Sequence, residues 1–205
     1  MPHPSWNDSY AAGQLPWDTG QPEPLLVEFV TAGRVRPGPV LEIGAGTGTN
    51  SIWMAERGFD VFGIDISPLA VERAEAKLAG RDLRCRFAAW DVLAAPPPGG
   101  PFQFVFDRGC FHVFDEPDER RKFAEQVAAA LAPGGLWLSL VGSTEGPPRE
   151  FGPPRRSARE ITLAIEPALE IVELRWAEFA GHGANAWLCL SRQRTMPPQP
   201  STTHD

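Results

Sequence analysis

Three glycines at alternate positions are the first pattern in this sequence that suggests a ligand site. Gly44, Gly46 and Gly48 follow the mostly apolar residues 40–43, which are typical of a strand, and precede residues 50–57, which have helical spacing. Glycines, which have no Cβ atom, in a turn between a strand and a helix let a ligand approach the backbone closely. The dinucleotide fingerprint spaces its glycines as GxGxxG, whereas the spacing here is GxGxG. The pattern therefore indicates a ligand site and disfavours a nicotinamide dinucleotide.

Two aspartates follow the next two predicted strands. Asp65 stands about 20 residues after the glycine turn, at the end of the predicted strand 60–64, where a carboxylate can accept hydrogen bonds from both hydroxyls of a ribose. Past the third predicted strand, Asp91 lies between Trp90 and Val92 and offers a carboxylate for an adenine amino group, with apolar neighbours for the ring. Each aspartate alone would be an ordinary capping or loop residue. Together with the glycine turn they favour an adenosine-containing ligand.

Strands and helices alternate along the chain, which predicts a mostly parallel α/β sheet covered by helices on both faces. The predicted strands are residues 40–43, 60–64, 83–88, 102–106 and 136–141, and the predicted helices are 25–30, 50–57, 68–79, a segment from Asp115 or Asp118 to before Pro133, and 158–165. The last apolar runs, 171–179 and 186–190, are separated by a short glycine-rich segment. They predict an antiparallel hairpin at the end of the sheet.

This pattern predicts one doubly wound, Rossmann-like domain over residues 25–194. Residues 1–24 mix aromatic side chains with Pro, Gly and Asp, which is too irregular for a core helix and too aromatic for an ordinary disordered tail. We expect this segment to fold over the site as a lid. Residues 195–205 are expected to be a disordered tail.

Composition and charge narrow the classes of function. The 205 residues carry a formal net charge of −7, which argues against a general nucleic-acid binder because neutralising phosphates requires a surplus of Lys and Arg. No apolar run approaches the ~20 residues of a membrane span and no signal peptide is visible, so we expect a cytoplasmic protein. Cys85, Cys110 and Cys189 are scattered, so neither disulfides nor a metal site is expected. A small-molecule partner and a monomeric state are the expectations that remain.

Residues 40–141 carry a set of motifs that resembles the class I S-adenosylmethionine-dependent methyltransferases. The matching segments are residues 42–48, Asp65, Trp90-Asp91 and Leu131-Ala132-Pro133-Gly134-Gly135. The resemblance implies a seven-stranded sheet whose last strand is antiparallel, with S-adenosylmethionine as cofactor and S-adenosylhomocysteine as its product. The expected cofactor contacts are Trp6, Trp17, Glu42, Gly44, Ala45, Gly46, Thr47, Gly48, Asn50, Asp65, Ile66, Trp90, Asp91, Val92 and Asp107.

Further stretches make the sequence similar to the thiopurine methyltransferase family and its thiol and halide relatives. They are Phe106-Asp107-Arg108-Gly109 after the fourth predicted strand, residues 146–151 and 160–161 after the fifth, and Trp6-Asn7-Asp8 with residues 15–20 near the N-terminus. The similarity implies direct methylation of a thiol or a thiopurine-like compound. Such a reaction requires alignment of the acceptor and exclusion of water, and alignment can supply ~7–11 kcal/mol.

Arg108 and Asp8 are the candidate catalytic residues. A cation favours the thiolate form of an acceptor, and Arg108 is expected at the carboxyl end of a central strand. A structural ion pair, with Asp107 or with a helix end, is the alternative role for Arg108. Asp8 has two possible roles, which are to relay a proton from the acceptor through water or to cap a short turn.

The candidate acceptor contacts are Cys110, Phe111, His112 and Phe151. His112 is expected to be a wall residue that makes one hydrogen bond, and Cys110 to line the pocket without a covalent role. Trp6 and Trp17 present π faces for a sulfonium cation or an aromatic acceptor, although plain core packing is their alternative role.

Three other functions stay open at this point. An O- or N-methyltransferase of a small aromatic metabolite would use the same cofactor site. A non-catalytic S-adenosylmethionine-binding module would keep the glycines but show no turnover. A nicotinamide dehydrogenase is disfavoured by the glycine spacing, and because Tyr10 is the only tyrosine, the sequence has no catalytic Tyr-x-x-x-Lys pair. His182 has no role that the sequence assigns.

Overall fold

A computed structural model describes residues 6–147, 152–181 and 183–194. The strands are β1 Pro39–Ile43, β2 Asp60–Asp65, β3 Cys85–Ala89, β4 Phe102–Arg108, β5 Leu131–Gly142, β6 Leu169–Glu178 and β7 Asn185–Gln193. The helices are α1 Trp6–Ala12, α2 Pro24–Thr31, α3 Thr49–Ala55, α4 Pro68–Leu78, α5 Pro117–Ala130 and α6 Ala158–Ile165, with a 3₁₀ turn at Phe111–Val113. The expected tail, residues 195–205, lies outside the described residues. No helix within the described ranges is long and apolar enough to cross a membrane.

The seven strands form one sheet in the order β3-β2-β1-β4-β5-β7-β6. The pairs β2·β3, β1·β2, β1·β4 and β4·β5 are parallel, and β7 is antiparallel to both β5 and β6. The predicted sheet and its terminal hairpin are therefore confirmed. Strand order reverses between β1 and β4, and in open α/β sheets such a reversal creates a crevice beyond the carboxyl ends of the strands. The topology thus places the ends of β1 and β4 at the expected ligand position.

Alternate residues of the central strands point to the two faces of the sheet, and both faces are buried. Along β4, Val105 packs into the cluster that includes α5 and α6, whereas Phe104 and Phe106 pack into the cluster that includes α2. Phe104 stacks on Phe29 of α2 with ring centroids 5.6 Å apart. The core on both faces fixes the central strands and therefore the crevice at their ends.

The N-terminal segment contains a helix that the sequence pattern did not predict. The Oδ1 atom of Asn7 accepts hydrogen bonds from Ser67 Oγ and from the Leu69 amide, at the start of α4. Arg73 of α4 donates to the Tyr10 carbonyl oxygen at 2.6 Å. Because these contacts are tertiary, the pattern of a short segment that mixes aromatic and polar residues gives no sign of them.

Asp107 and Phe111, which the sequence analysis placed at the ligand site, are buried in the core. Asp107, near the end of β4, has no exposed surface and accepts hydrogen bonds from the amides of Cys110 and Phe111 and from Trp137 Nε1, at 2.9–3.1 Å. Phe111 is also fully buried and packs edge-on against Phe123 and Trp137. Burial raises the pKa of Asp107 to about 6, although its hydrogen bonds oppose the shift. Asp107 therefore anchors the turn after β4.

We expect Asp107→Ala to destabilise the cofactor-free protein by ~3–5 kcal/mol, because three donors lose their buried acceptor. The raised pKa means that the carboxyl group stabilises the fold most at low pH, and that this contribution is lost as pH rises through about 6. The difference in the free energy of unfolding between wild type and Asp107→Ala should therefore be larger at pH 5 than at pH 8. Urea unfolding at the two pH values measures this difference. Asp82→Ala, at an exposed position after α4, is the control and should change stability by less than about 0.5 kcal/mol; an equally small effect for Asp107→Ala would contradict the anchoring role.

Candidate active site

A cleft that encloses about 60 Å³ opens where the strand order reverses, between the ends of β1 and β4. The N-terminal segment forms its other wall. The lining residues are Tyr10, Trp17, Asp18, Thr19, Gln21, Glu42, Gly44, Ala45, Gly46, Thr47, Thr49, Asn50 and Arg108.

The glycine turn that follows β1 is held in left-handed backbone conformations, with φ of 70°, 56° and 78° at Gly44, Gly46 and Gly48. A Cβ atom at Gly46 would lie 3.0 Å from the Tyr10 hydroxyl, and one at Gly48 would lie 2.7 Å from the Phe87 ring. The glycines therefore also let other parts of the protein pack against the turn, which the sequence did not indicate. Gly44 is exposed and leaves backbone open to the cleft.

Asp65 ties the glycine turn to the end of β2. Its Oδ2 atom accepts from the Gly46 amide and its Oδ1 atom from the Ser67 amide, both at 2.9 Å. Burial raises the pKa of Asp65, whereas the backbone donors lower it. Each carboxylate oxygen has a further lone pair, so the group can accept additional hydrogen bonds from a ligand.

The surroundings of Asp65 fit the adenosine part of the cofactor that the sequence indicates. Ile66 is 55% exposed, which leaves an apolar surface directly beside a buried carboxylate. Asp91 is exposed and accepts from the Leu93 amide through Oδ1 at 2.8 Å. Val92 is buried, and Trp90 is half-buried and donates through Nε1 to the Ala95 carbonyl oxygen. A polar group for the ribose and an apolar surface for the base thus lie next to each other.

Glu42 is buried beneath the cleft, with 1% of its surface exposed. Its Oε1 atom accepts from Asn50 Nδ2 at 2.9 Å and its Oε2 atom from Ser51 Oγ at 2.5 Å. Burial raises the pKa of Glu42 to about 7, against the effect of these hydrogen bonds. The Oδ1 atom of Asn50 accepts from the Glu23 amide at 2.8 Å, so both ends of the Asn50 amide contact protein.

Arg108, the last residue of β4, makes an ion pair at a helix end, which is one of the two forms named for its alternative role. Its Nε atom lies 2.6 Å from Oε2 of Glu23, the N-cap residue of α2. The other guanidinium nitrogens donate to the carbonyl oxygens of Trp17 and Ala180 at 3.2 Å. Arg108 therefore connects the N-terminal segment with the segment between β6 and β7.

The aromatic residues of the N-terminal segment pack on one another over the glycine turn. Trp17 lies edge-on to Trp6, with ring centroids 5.4 Å apart, and edge-on to Tyr10 at 6.2 Å. Asp18 accepts from the Thr47 hydroxyl at 2.7 Å, which joins this segment to the turn. Burial raises the pKa of Tyr10, so its hydroxyl keeps its proton. Sequence reasoning missed Tyr10 as a site residue, and its place in an aromatic segment was the only signal.

The remaining predicted site residues occupy different surroundings. Asp8 is exposed on α1. His112 is buried and accepts from the Gly142 amide through Nδ1 at 2.7 Å. Cys110 is half-buried against Gly44, and burial raises the pKa of its thiol well above the usual value, so it is not a thiolate. Phe151 and His182 lie outside the described residues.

Comparisons with known proteins agree with the geometry. Residues 40–135 match the model of a family described as a methyltransferase domain. The chain is 32% identical to probable thiol methyltransferase 2 of Arabidopsis thaliana over 179 residues, which cover 82% of this chain and 76% of the relative. It is 31% identical to the 2-heptyl-1-hydroxyquinolin-4(1H)-one methyltransferase of Mycobacteroides abscessus, with 80% of this chain and 70% of the relative covered.

A solved structure also resembles the whole fold. It comes from work on the conversion of a disulfide bond into a thioacetal group during echinomycin biosynthesis, and it matches with a TM-score of 0.77 at 27% identity. The match covers 91% of this chain and 89% of that one. Extensive sequence similarity, the strand order and the glycine turn at the switch point all lead to one family. The chain belongs to the class I S-adenosylmethionine-dependent methyltransferases.

Proposed function

We propose that the protein transfers the methyl group of S-adenosylmethionine to the sulfur of a small thiol or thiopurine-like compound. The observation that carries this proposal is the composition of the cleft. Among the described residues that line it, Arg108 is the one cation and none is a histidine. A site of this kind suits an acceptor that ionises without a strong general base. The similarity to the Arabidopsis thiol methyltransferase over most of the chain supports the same acceptor class.

When bound, S-adenosylmethionine supplies an electrophilic methyl group on a positively charged sulfonium. Asp65 would hold the ribose hydroxyls, Asp91 and Ile66 the adenine, and the exposed backbone at Gly44 the amino acid part. Tyr10 and Trp17 would cover the cleft and exclude water, and their π faces would favour a cation. The protein contributes alignment and a dry site, which is the main requirement of a direct displacement.

The choice of a thiol follows from ionisation. Reference pKa values of about 8.5 for a thiol and about 10 for a phenol give the thiol a roughly 30-fold larger ionised fraction near pH 7. Because His112 already accepts from the Gly142 amide through Nδ1, that nitrogen is not available to remove a proton from the acceptor. Arg108 would stabilise the thiolate electrostatically, and Asp8 would accept the released proton through water.

A hydroxylated aromatic acceptor is the second candidate function. The relative from Mycobacteroides abscessus is named for a hydroxyquinolone, which contains no sulfur. Glu42, with its pKa of about 7, lines the same cleft and is the carboxylate that such a reaction would use as a base.

We expect an aromatic thiol to be methylated with a kcat/KM at least tenfold higher than that of the phenol of the same shape, because the shape is matched and only the ionising atom differs. Release of S-adenosylhomocysteine, measured for both acceptors at pH 7, provides the comparison. If the enzyme releases S-adenosylhomocysteine with neither of the two acceptors, the proposed acceptor class is unsupported. A preference for the phenol would instead favour the second candidate function.

Glu42 should make cofactor binding depend on pH. Its raised pKa means that the carboxyl group is largely neutral below about 7 and negative above it, and only the negative form attracts the sulfonium. The affinity for S-adenosylmethionine should therefore rise between pH 6 and pH 8, by at most about tenfold, and S-adenosylhomocysteine, which lacks the sulfonium, should show a smaller rise. Calorimetric titration of Glu42→Gln should give a flatter profile, with the exposed Glu75→Gln as control. An unchanged profile in Glu42→Gln would exclude Glu42 as the titrating group.

A further inference from the structure

Glu23 and Arg108 form an ion pair that is almost completely removed from solvent. Their side chains are 1% and 13% exposed, and the Nε to Oε2 distance is 2.6 Å. Removing two charges from water is unfavourable unless geometry and additional hydrogen bonds compensate. The remaining contacts of both side chains therefore show what the pair holds in place.

Arg108 uses its other donors on two segments far apart in the chain. One terminal nitrogen donates to the Trp17 carbonyl oxygen and the other to the Ala180 carbonyl oxygen, both at 3.2 Å. The guanidinium carbon lies 5.1 Å from the centroid of the Phe179 ring. A Cβ atom at Gly181 would lie 3.0 Å from the methyl group of Thr19, so these two segments also touch directly.

Glu23 is in turn fixed on its own side. Its Oε1 atom accepts from the Leu25 amide at 3.4 Å, which caps α2, and its amide donates to Asn50 at 2.8 Å. Asn50 binds Glu42 beneath the glycine turn. A continuous series of contacts therefore runs from Glu42, beneath the glycine turn, through Asn50 and Glu23 to Arg108.

We propose that Glu23 is a positioning residue for methyl transfer. It holds the Arg108 guanidinium in the position from which the guanidinium donates hydrogen bonds to both segments, residues 17–19 and 179–181, and so joins them at the opening of the cleft. Glu23 itself does not contact the reacting atoms. Without a side-chain oxygen at this position, the Arg108 Nε would lose its acceptor, and the guanidinium would turn toward solvent or toward the cleft. The carbonyl oxygens of Trp17 and Ala180 would then lose their shared donor, and the wall formed by the N-terminal segment would open.

This proposal rests on methyl transfer itself and not on the identity of the acceptor. It differs from a direct role of Arg108 on the acceptor, because a direct role would not require Glu23. If Arg108 acted on the acceptor alone, removing Glu23 would free the guanidinium and leave the rate unchanged or higher. If Glu23 and Arg108 act together to join the two segments, the losses of rate caused by removing each residue are not additive.

The experiment compares Glu23→Ala, Glu23→Gln, Arg108→Ala and the double variant Glu23→Ala/Arg108→Ala in the full chain. Turnover is measured with whichever acceptor of the thiol and phenol pair is methylated. We expect each alanine variant to lower kcat at least tenfold, with a smaller change in the KM for S-adenosylmethionine. The double variant should be no more than about twofold worse than Arg108→Ala. Glu23→Gln keeps an acceptor oxygen for Nε and should recover most of the rate. Glu28→Ala, on the same helix and exposed, should behave as wild type.

Limited proteolysis with saturating S-adenosylhomocysteine gives a readout that needs no acceptor. The alanine variants should be cleaved within residues 6–22 at least fivefold faster than wild type, and Glu23→Gln at a rate near that of wild type. A wild-type rate of turnover and of cleavage in Glu23→Ala would overturn the proposal, as would independent, multiplicative losses in the double variant. If Glu23→Ala does not fold, Glu23→Gln and Arg108→Ala still test the proposal, because a complete loss of turnover in Glu23→Gln would also contradict it. Failure of the thiol assignment would leave the cleavage result intact.

Discussion

The carboxylate of Asp65 is the group on which the ligand site depends. Parallel strands β1 and β2 end side by side, and Asp65 accepts hydrogen bonds from the Gly46 amide after β1 and from the Ser67 amide before α4. These amides come from segments where regular secondary structure leaves backbone donors unpaired. One side chain thereby fixes the glycine turn relative to the start of α4. The N-terminal segment then packs on both, since Asn7 contacts Ser67 and Tyr10 lies against Gly46.

The distribution of charge around the cleft follows from the same arrangement. Glu23, Glu42 and Asp65 are all buried close to a site whose described lining contains one cation, Arg108, already paired with Glu23. Burial raises the pKa of Glu42 and of Asp65, so these groups are poorly compensated when the site holds no cation. A positively charged ligand would lower both pKa values and relieve that cost. The site therefore matches a sulfonium cofactor better than a neutral one.

The sequence predicted the features that local patterns encode. Alternating apolar segments predicted the sheet, and the glycine turn and Asp65 were recognisable because each follows a strand at a characteristic spacing. The pairing of Arg108 with Glu23 was not predictable, because 85 residues separate them and only the tertiary fold brings them together. Asp107 and Arg108 show a second limit. Neighbouring residues on a strand point to opposite faces, so one enters the core while the next reaches the cleft, although the sequence placed both in the site.

If Asp65 binds the ribose of the cofactor and also holds the glycine turn, calorimetric titration of S-adenosylhomocysteine into Asp65→Ala must show a loss of affinity. Asp60→Ala is the matched control, because Asp60 lies at the opposite end of β2 with an exposed side chain. We expect Asp65→Ala to lose ~2–4 kcal/mol of binding free energy, or about 30- to 1,000-fold in affinity, through the loss of charge-assisted hydrogen bonds. Asp60→Ala should bind as wild type does. Wild-type affinity in a folded Asp65→Ala protein would contradict a role of Asp65 in binding the ribose.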